Sequence, residues 1–378
     1  MDRGDPMTRY ARQIAVPALG PAGQARIRAA RALVVGAGGL AAPVLQYLAG
    51  AGLGEIVLVD PDRVALSNLH RQTLFRSDQI GQPKAEAAAR ALAALNPEVT
   101  LRAHVAALDP ANAPALIETA DLVLDCADSF AVSYMLSDLC HDRGRPLISA
   151  AVTGTGGHVG GFCGGAPSLR AVFPDLPERA ASCATEGVLG PVVGVIGALQ
   201  AQMALALAGG IAPSPLGRLV SFEAAGFRLG GFDFHGAPEP PRRPYFIAAS
   251  QIAPGDFIAD LRRPEEGPPA HPRAQRLAVA DFERADTPRP APGQRAVLCC
   301  RSGLRAWAAA SRLARAWDGE ITLVALGDGD TTAAPDHDDP AAPGGNRNPV
   351  APGGNRNPAA PGGHRDPAAP GGATGDPT

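Results

Sequence analysis

Short, unbroken apolar runs alternate with longer segments in which polar and apolar residues are mixed. The runs at 32–35, 56–59, 101–105, 121–128 and 146–152 predict strands, the continuous ones buried on both faces. Between them, helices are predicted from Pro83 onward, over 111–119 and over 133–142. Strands alternating with helices predict an α/β fold with a mostly parallel sheet and helices on both faces. The glycine-rich stretch 153–165 reads as strands joined by tight turns, and 182–190 as an irregular loop. Residues 191–208 read as a buried helix, because Pro191, Gln200, Gln202 and several glycines interrupt its apolar run. Ahead of the first strand, 9–30 is a basic amphipathic lead-in; Tyr10, Ile14 and Val16 are expected to pack while Arg9 and Arg12 project.

The first two strands are joined by a glycine turn that changes the picture from fold to site. Gly36, Gly38 and Ala41 fit the spacing G-x-G-x-x-G/A. Such a turn bends sharply, lets backbone approach a phosphate, and aims helix N-terminal amides at it. Asp60 ends the second strand, where an acid accepts hydrogen bonds from ribose hydroxyls. Ligands bind at the carboxyl ends of parallel strands, where Asp60 and Asp128 are both predicted. Arg71, in SNLHRQ, and Lys84, in GQPK, add cations. Cations with an acid able to bind metal suit ATP chemistry, since they neutralise phosphates and a leaving pyrophosphate. The glycine pattern alone also allows an NAD-dependent oxidoreductase, but that chemistry needs no such set of cations.

A second pattern follows a proline-dense linker at 236–246. Strands are predicted at 257–261, 296–299 and 321–325, and a helix at 303–317. Cys300 opens a loop into that helix, with Arg301 and Arg305 nearby, an arrangement that favours a thiolate or persulfide anion. Cys299, one residue back on a strand, should point to the opposite face. The final segment, 331–378, repeats APGGNRNP-like units around Pro343, Pro352, Pro361 and Pro370 and is nearly devoid of large apolar side chains, so disorder is expected.

Composition narrows the function classes. The chain has 378 residues, 46% hydrophobic, enough for two domains and a sizeable core. A net charge of −3 argues against bulk nucleic-acid binding. No stretch suggests a membrane span or a signal peptide, and the six cysteines form no disulfide framework, so a cytoplasmic setting is expected.

The segments RYARQ (9–13), VVGAGGLA (34–41), LVDPD (58–62), SNLHRQ (67–72), GQPK (81–84), DCAD (125–128) and CATEGVLGPVVGVIG (183–197) resemble the MoeB/ThiF family, bacterial relatives of ubiquitin-activating enzymes. The resemblance implies a Rossmann-like sheet over 1–235, usually dimeric, that uses ATP and magnesium to adenylate the Gly-Gly end of a ubiquitin-like sulfur carrier protein. It places Gly36, Gly38, Gly39 and Gln72 at the nucleotide, Asp60 on the ribose, Asn68, Arg71 and Lys84 on phosphates, and Asp128 on magnesium. Arg12 would reach the partner subunit's site in a homodimer, and Cys183 matches a cysteine that some relatives use covalently. The segments 257–266 and 300–305 resemble rhodanese domains, which implies a small α/β sulfurtransferase unit over 247–330. There Cys300, with Arg301, Gly303 and Arg305 around it, would carry sulfur from a cysteine desulfurase or thiosulfate. The product would be a thiocarboxylate for molybdopterin, thiamine or cysteine-type biosynthesis. Three departures stand out: Ser168 and Ala171 replace the first of two zinc-binding cysteine pairs, Ser129 follows the magnesium acid, and Ser133 replaces an arginine. The first predicts no zinc site. Together they leave room for a scaffold that binds the carrier without activating it.

Overall fold

The computed structural model describes residues 6–176, 187–240, 244–284 and 286–327. Helices α1 (Pro6–Ile14) and α2 (Gly20–Ala29) lead into β1 (Arg31–Val35), whose last four side chains are buried. There follow α3 (Ala41–Gly50), β2 (Glu55–Val59), α4 (Lys84–Leu95), β3 (Thr100–His104), α5 (Ala113–Glu118), β4 (Leu122–Asp125), α6 (Phe130–Asp142) and β5 (Pro146–Thr153). Then come β6 (Gly156–Cys163), α7 (Leu169–Val172), α8 (Gly190–Gly209), β7 (Arg218–Glu223) and β8 (Arg228–Asp233). These strands form one sheet in the order β3-β2-β1-β4-β5-β6-β7-β8, parallel as far as β5 and antiparallel beyond. Strand order reverses between β1 and β4, which opens a crevice at their carboxyl ends. Register puts Val59 and Asp125 on either side of Val35, directly before the glycine turn.

A second, five-stranded parallel sheet comprises β9 (Tyr245–Phe246), β10 (Phe257–Asp260), β11 (Gln275–Arg276), β12 (Ala296–Cys300) and β13 (Ile321–Ala325), ordered β11-β10-β12-β13-β9. Helix α9 (Leu304–Leu313) lies on it. One hydrophobic cluster runs from Leu33, Val123 and Phe162 through Tyr134 of α6 to Phe246, Leu298 and Trp307. The two sheets therefore share a core, and the described residues up to 327 lie in one compact unit. On the other face of the first sheet, α8 packs against α2, α3, β5 and β6, as a buried helix would; it is the one helix among the described residues long and apolar enough to cross a membrane.

Several boundaries differ from those read off the sequence. The strand expected at 121–128 stops at Asp125, because the Cys126 amide bonds Val35 O and the Ala127 amide turns back to the Asp125 carboxylate. Asp128 therefore sits on a loop, and α6 begins at Phe130 rather than at Ser133. The last two linker residues form β9, because Phe246 buries itself in the shared core and pairs with Leu323. Helix α9 ends at Leu313, before Asp318–Gly319 bends the chain. Tyr10 is buried as expected, but Val16 is exposed beyond the end of α1. The repeat tail and Cys183 lie outside the described residues.

Candidate active site

The glycine turn is held by its neighbours before any ligand is considered. Gly36 has φ +91°, and a Cβ there would sit 2.7 Å from the Cys126 carbonyl oxygen, so only glycine fits against the end of β4. Asp60 Oδ2 accepts the Ala37 amide at 2.6 Å and Oδ1 the Asp62 amide at 2.8 Å. The carboxylate expected to wait for a ribose thus braces the turn, with one lone pair on each oxygen still open. Burial pushes its pKa up, and the Ala37 amide and the Lys84 charge push it back. Among the described residues no side chain caps the first turn of α3; Ala42 N bonds Gly38 O, Val44 N bonds Leu40 O and Pro43 has no N–H, so Ala41 offers the amide of that turn that remains available to an anion.

The loop carrying SNLHRQ folds over this turn. The Asn68 carbonyl accepts the Arg71 and Gln72 amides, tightening the loop into a single turn. Arg71 then lies against Gly39, with Cγ 3.5 Å from where a Cβ would be, and its guanidinium bonds Ser67 O and the His70 ring. Gln72 is buried beside Gly38, and its Oε1 has no partner among the described residues. Lys84, at the start of α4, is almost fully buried and points its ammonium at Asp62, 2.8 Å away. The structure so gathers Gly36, Gly38, Gly39, Asp60, Asn68, Arg71, Gln72 and Lys84 around one turn. Arg12 is not among them. Its helix lies near the amino ends of the strands, where Gln13 bonds Ala51 O and Gly52 abuts Tyr10.

Two residues that the sequence reading passed over hold the floor of the crevice. Asp125 is fully buried at the end of β4 and accepts Ser149 Oγ at 2.8 Å. Burial raises its pKa, against hydrogen bonds from Ser133, Ser149 and the Ala127 amide. Ser133 therefore faces this buried acid. Gln200 of α8 donates to Asp125 O (2.7 Å) and Ile148 O (3.0 Å), tying β4 to β5 beneath the crevice. Of the two glutamines in this otherwise apolar helix, Gln200 is buried and Gln202 is exposed, so the polar residue in the apolar run was the available signal. Asp128 lies exposed just past this floor.

The position of the family's zinc pair has different chemistry. Ser168 bonds Glu239 through both Oγ (2.6 Å) and its amide (2.7 Å). Arg170, fully buried, forms a two-pronged ion pair with Asp138 (2.7 and 2.8 Å) and lies 4.9 Å from the ring centres of both Tyr134 and Trp307. These hydroxyl, carboxylate and guanidinium groups do not fit a tetrahedral thiolate or imidazole site.

In the second sheet, Cys300 ends β12 and its Sγ accepts the Gly303 and Ala306 amides at 3.1 and 3.4 Å. The loop arginines were expected to favour a thiolate, but the side chain is fully buried. Burial raises its pKa, and the amides and Arg305 offset this only in part. Arg305 is instead engaged by Glu266, whose carboxyl it draws down to about 2. Arg262 bonds the buried Asp260 with two nitrogens. Cys299 does face the opposite side, among Ile258, Val297 and Val324, where burial pushes its thiol up to about 12. Alkylation of Cys300 by iodoacetamide, followed by peptide mass spectrometry, is therefore expected to keep accelerating above about pH 8.5, the range of an ordinary thiol. A rate already level near about pH 7 would show an activated thiolate instead.

The ThiF family profile matches residues 10–242. Over 219 residues the chain is 47% identical to "Adenylyltransferase and sulfurtransferase MOCS3" of Bos taurus, covering 57% of this chain and 48% of that protein. It is 38% identical over 237 residues to "SAMP-activating enzyme E1" of Haloferax volcanii, covering 62% of this chain and 88% of that one. The chain thus spans about half the length of the MOCS3 relatives it matches. Among solved structures, E. coli MccB aligns with a TM-score of 0.55 and 23% identity over 61% of this chain and 73% of that chain, and the same enzyme solved with ATP aligns at 0.52 and 21%, over 61% and 72%. The fold is shared with that enzyme, and on the match over 10–242 the chain belongs to the ThiF family.

Proposed function

We propose that residues 1–235 adenylate the C-terminal Gly-Gly carboxylate of a ubiquitin-like sulfur carrier, and that 247–330 act as a rhodanese-like sulfurtransferase on the product. The observation that carries the first half is that Arg71 lies against Gly39 of the glycine turn while Lys84, paired with Asp62, is near enough for its charge to act on Asp60, which braces the same turn. Attack of a carboxylate on the α-phosphorus brings two anions together, and fixed cations in a partly dry crevice lower that cost. Lys84 and Arg71 would hold the phosphates, and Asp60 would keep the turn in shape while its open lone pairs meet the ribose. The residues fit magnesium, which needs one or two carboxylates besides phosphate oxygens, and exposed Asp128 supplies one. When bound, the ion neutralises charge on the phosphates. The name of the MOCS3 relative supports adenylyl and sulfur transfer, and the Cys300 loop, with its sulfur accepting two backbone amides, is the place in the second sheet suited to carry sulfur.

In this reading the enzyme works as a homodimer in the cytoplasm, Arg12 completing the partner's site, and draws sulfur from thiosulfate or a cysteine desulfurase. ATP–pyrophosphate exchange that depends on a Gly-Gly-ending carrier is the expected result. Tight ATP binding with no exchange for any such carrier would instead mark a scaffold.

A further inference from the structure

The Cys300 loop does not stand apart from the first sheet. Gly303 has φ +88°, and a Cβ there would lie 2.8 Å from the Phe246 ring and 3.2 Å from Ala131 Cβ. Ala131 is in the first turn of α6, three residues after Asp128. Helix α9, which leaves the loop, sets Trp307 edge-on against Tyr134 of α6 at 5.5 Å, with the Arg170 guanidinium beside both rings. Ala131, Tyr134, Phe246, Cys300, Ala306 and Trp307 belong to one hydrophobic cluster. The same short helix thus follows the candidate magnesium acid and supports the sulfur loop.

We infer that sulfur is delivered within one chain: Cys300 serves the acyl-adenylate formed in its own subunit, across the first turn of α6. The inference rests on the proposed function above. The path from Sγ through the Gly303 amide, its contact with Ala131 and three Cα steps places Sγ within about 22 Å of Asp128 Cα, and a six-residue extended tail spans about as much. Because Sγ is covered by its own loop, 301–303 must open to present the sulfur, and in the closed state that loop rests on Ala131 of α6.

The chemistry closes with a sulfane-sulfur donor and a dithiol. Thiosulfate passes its outer sulfur to the Cys300 thiolate, giving a persulfide and sulfite. The terminal persulfide sulfur attacks the carrier's acyl carbon, a C–S bond forms, and the acyl–oxygen bond breaks as AMP leaves with its electron pair. A thiolate of dithiothreitol then attacks Cys300 Sγ, releasing the carrier thiocarboxylate. Its second thiol closes the ring and returns Cys300 as thiolate.

The test co-expresses two full-length variants, Cys300→Ala and Lys84→Ala, and follows carrier thiocarboxylate by mass spectrometry with ATP, magnesium, thiosulfate and dithiothreitol. Adenylate forms only on the chain lacking Cys300, so less than about a tenth of wild-type transfer is expected. Recovery to a quarter or more, on the order of what random pairing allows, would show delivery between chains and overturn the inference alone. Pyrophosphate exchange by C300A and thiosulfate-dependent sulfur loading of K84A report separately whether each half works. A wild-type chain that yields no thiocarboxylate overturns the sulfur-transfer reading, and this inference with it.

Discussion

Replacing Lys84 by methionine is expected to lower carrier-dependent ATP–pyrophosphate exchange by about a hundred- to a thousandfold, the usual cost of losing one preorganised charge-stabilising donor. The stem of Lys84 is buried and methionine fills nearly the same volume, so the crevice should keep its shape. The severed ion pair costs little, because Asp62 is 64% exposed and returns to water; at most about 1 kcal/mol of stability is at stake. Activity and stability should therefore separate. A variant that melts within about 3 °C of wild type yet exchanges pyrophosphate normally would show that the ammonium serves only Asp62. The phosphate-binding reading of the turn would then fail.

Much of this site was legible because its signals are local. The run Ala32–Val35, the glycine spacing and Ile56–Val59 each depend on neighbouring residues, and β1, the turn, α3 and β2 lie where that pattern puts them. The alternation of side chains along β12 likewise sent Cys299 and Cys300 into different clusters. What escaped notice arises from tertiary contact. That Asp60 reaches back to Ala37 depends on β1 and β2 being in register, not on either segment's composition. The pairing of Gln200 with the β4 and β5 carbonyls joins residues far apart in the chain. Cys300 looked activated because arginines flank it in sequence, but in space its helix is pressed onto a shared core, and desolvation outweighs the amide bonds. The linker reading missed the shared core for the same reason: proline density says nothing about where Phe246 docks.

The same core sets up the largest expected loss of stability. Asp138→Ala would leave the Arg170 guanidinium, with no exposed surface, without its carboxylate. Removing one member of a buried pair costs about 3–5 kcal/mol, which in a unit of this size lowers the melting temperature by roughly 4–7 °C. The double variant Arg170→Met with Asp138→Leu should recover most of that loss, since apolar side chains of similar volume often replace a buried pair without penalty. Arg170 already leaves Nη1 without a hydrogen bond among the described residues, so its desolvation is not fully repaid. Methionine would still lie against Tyr134 and Trp307. If the double variant melts as low as D138A, the ion pair itself, with its fixed two-pronged geometry, holds α7 on α6. If it melts near wild type, packing of the two rings across α6 and α9 suffices, and the charges add orientation rather than stability.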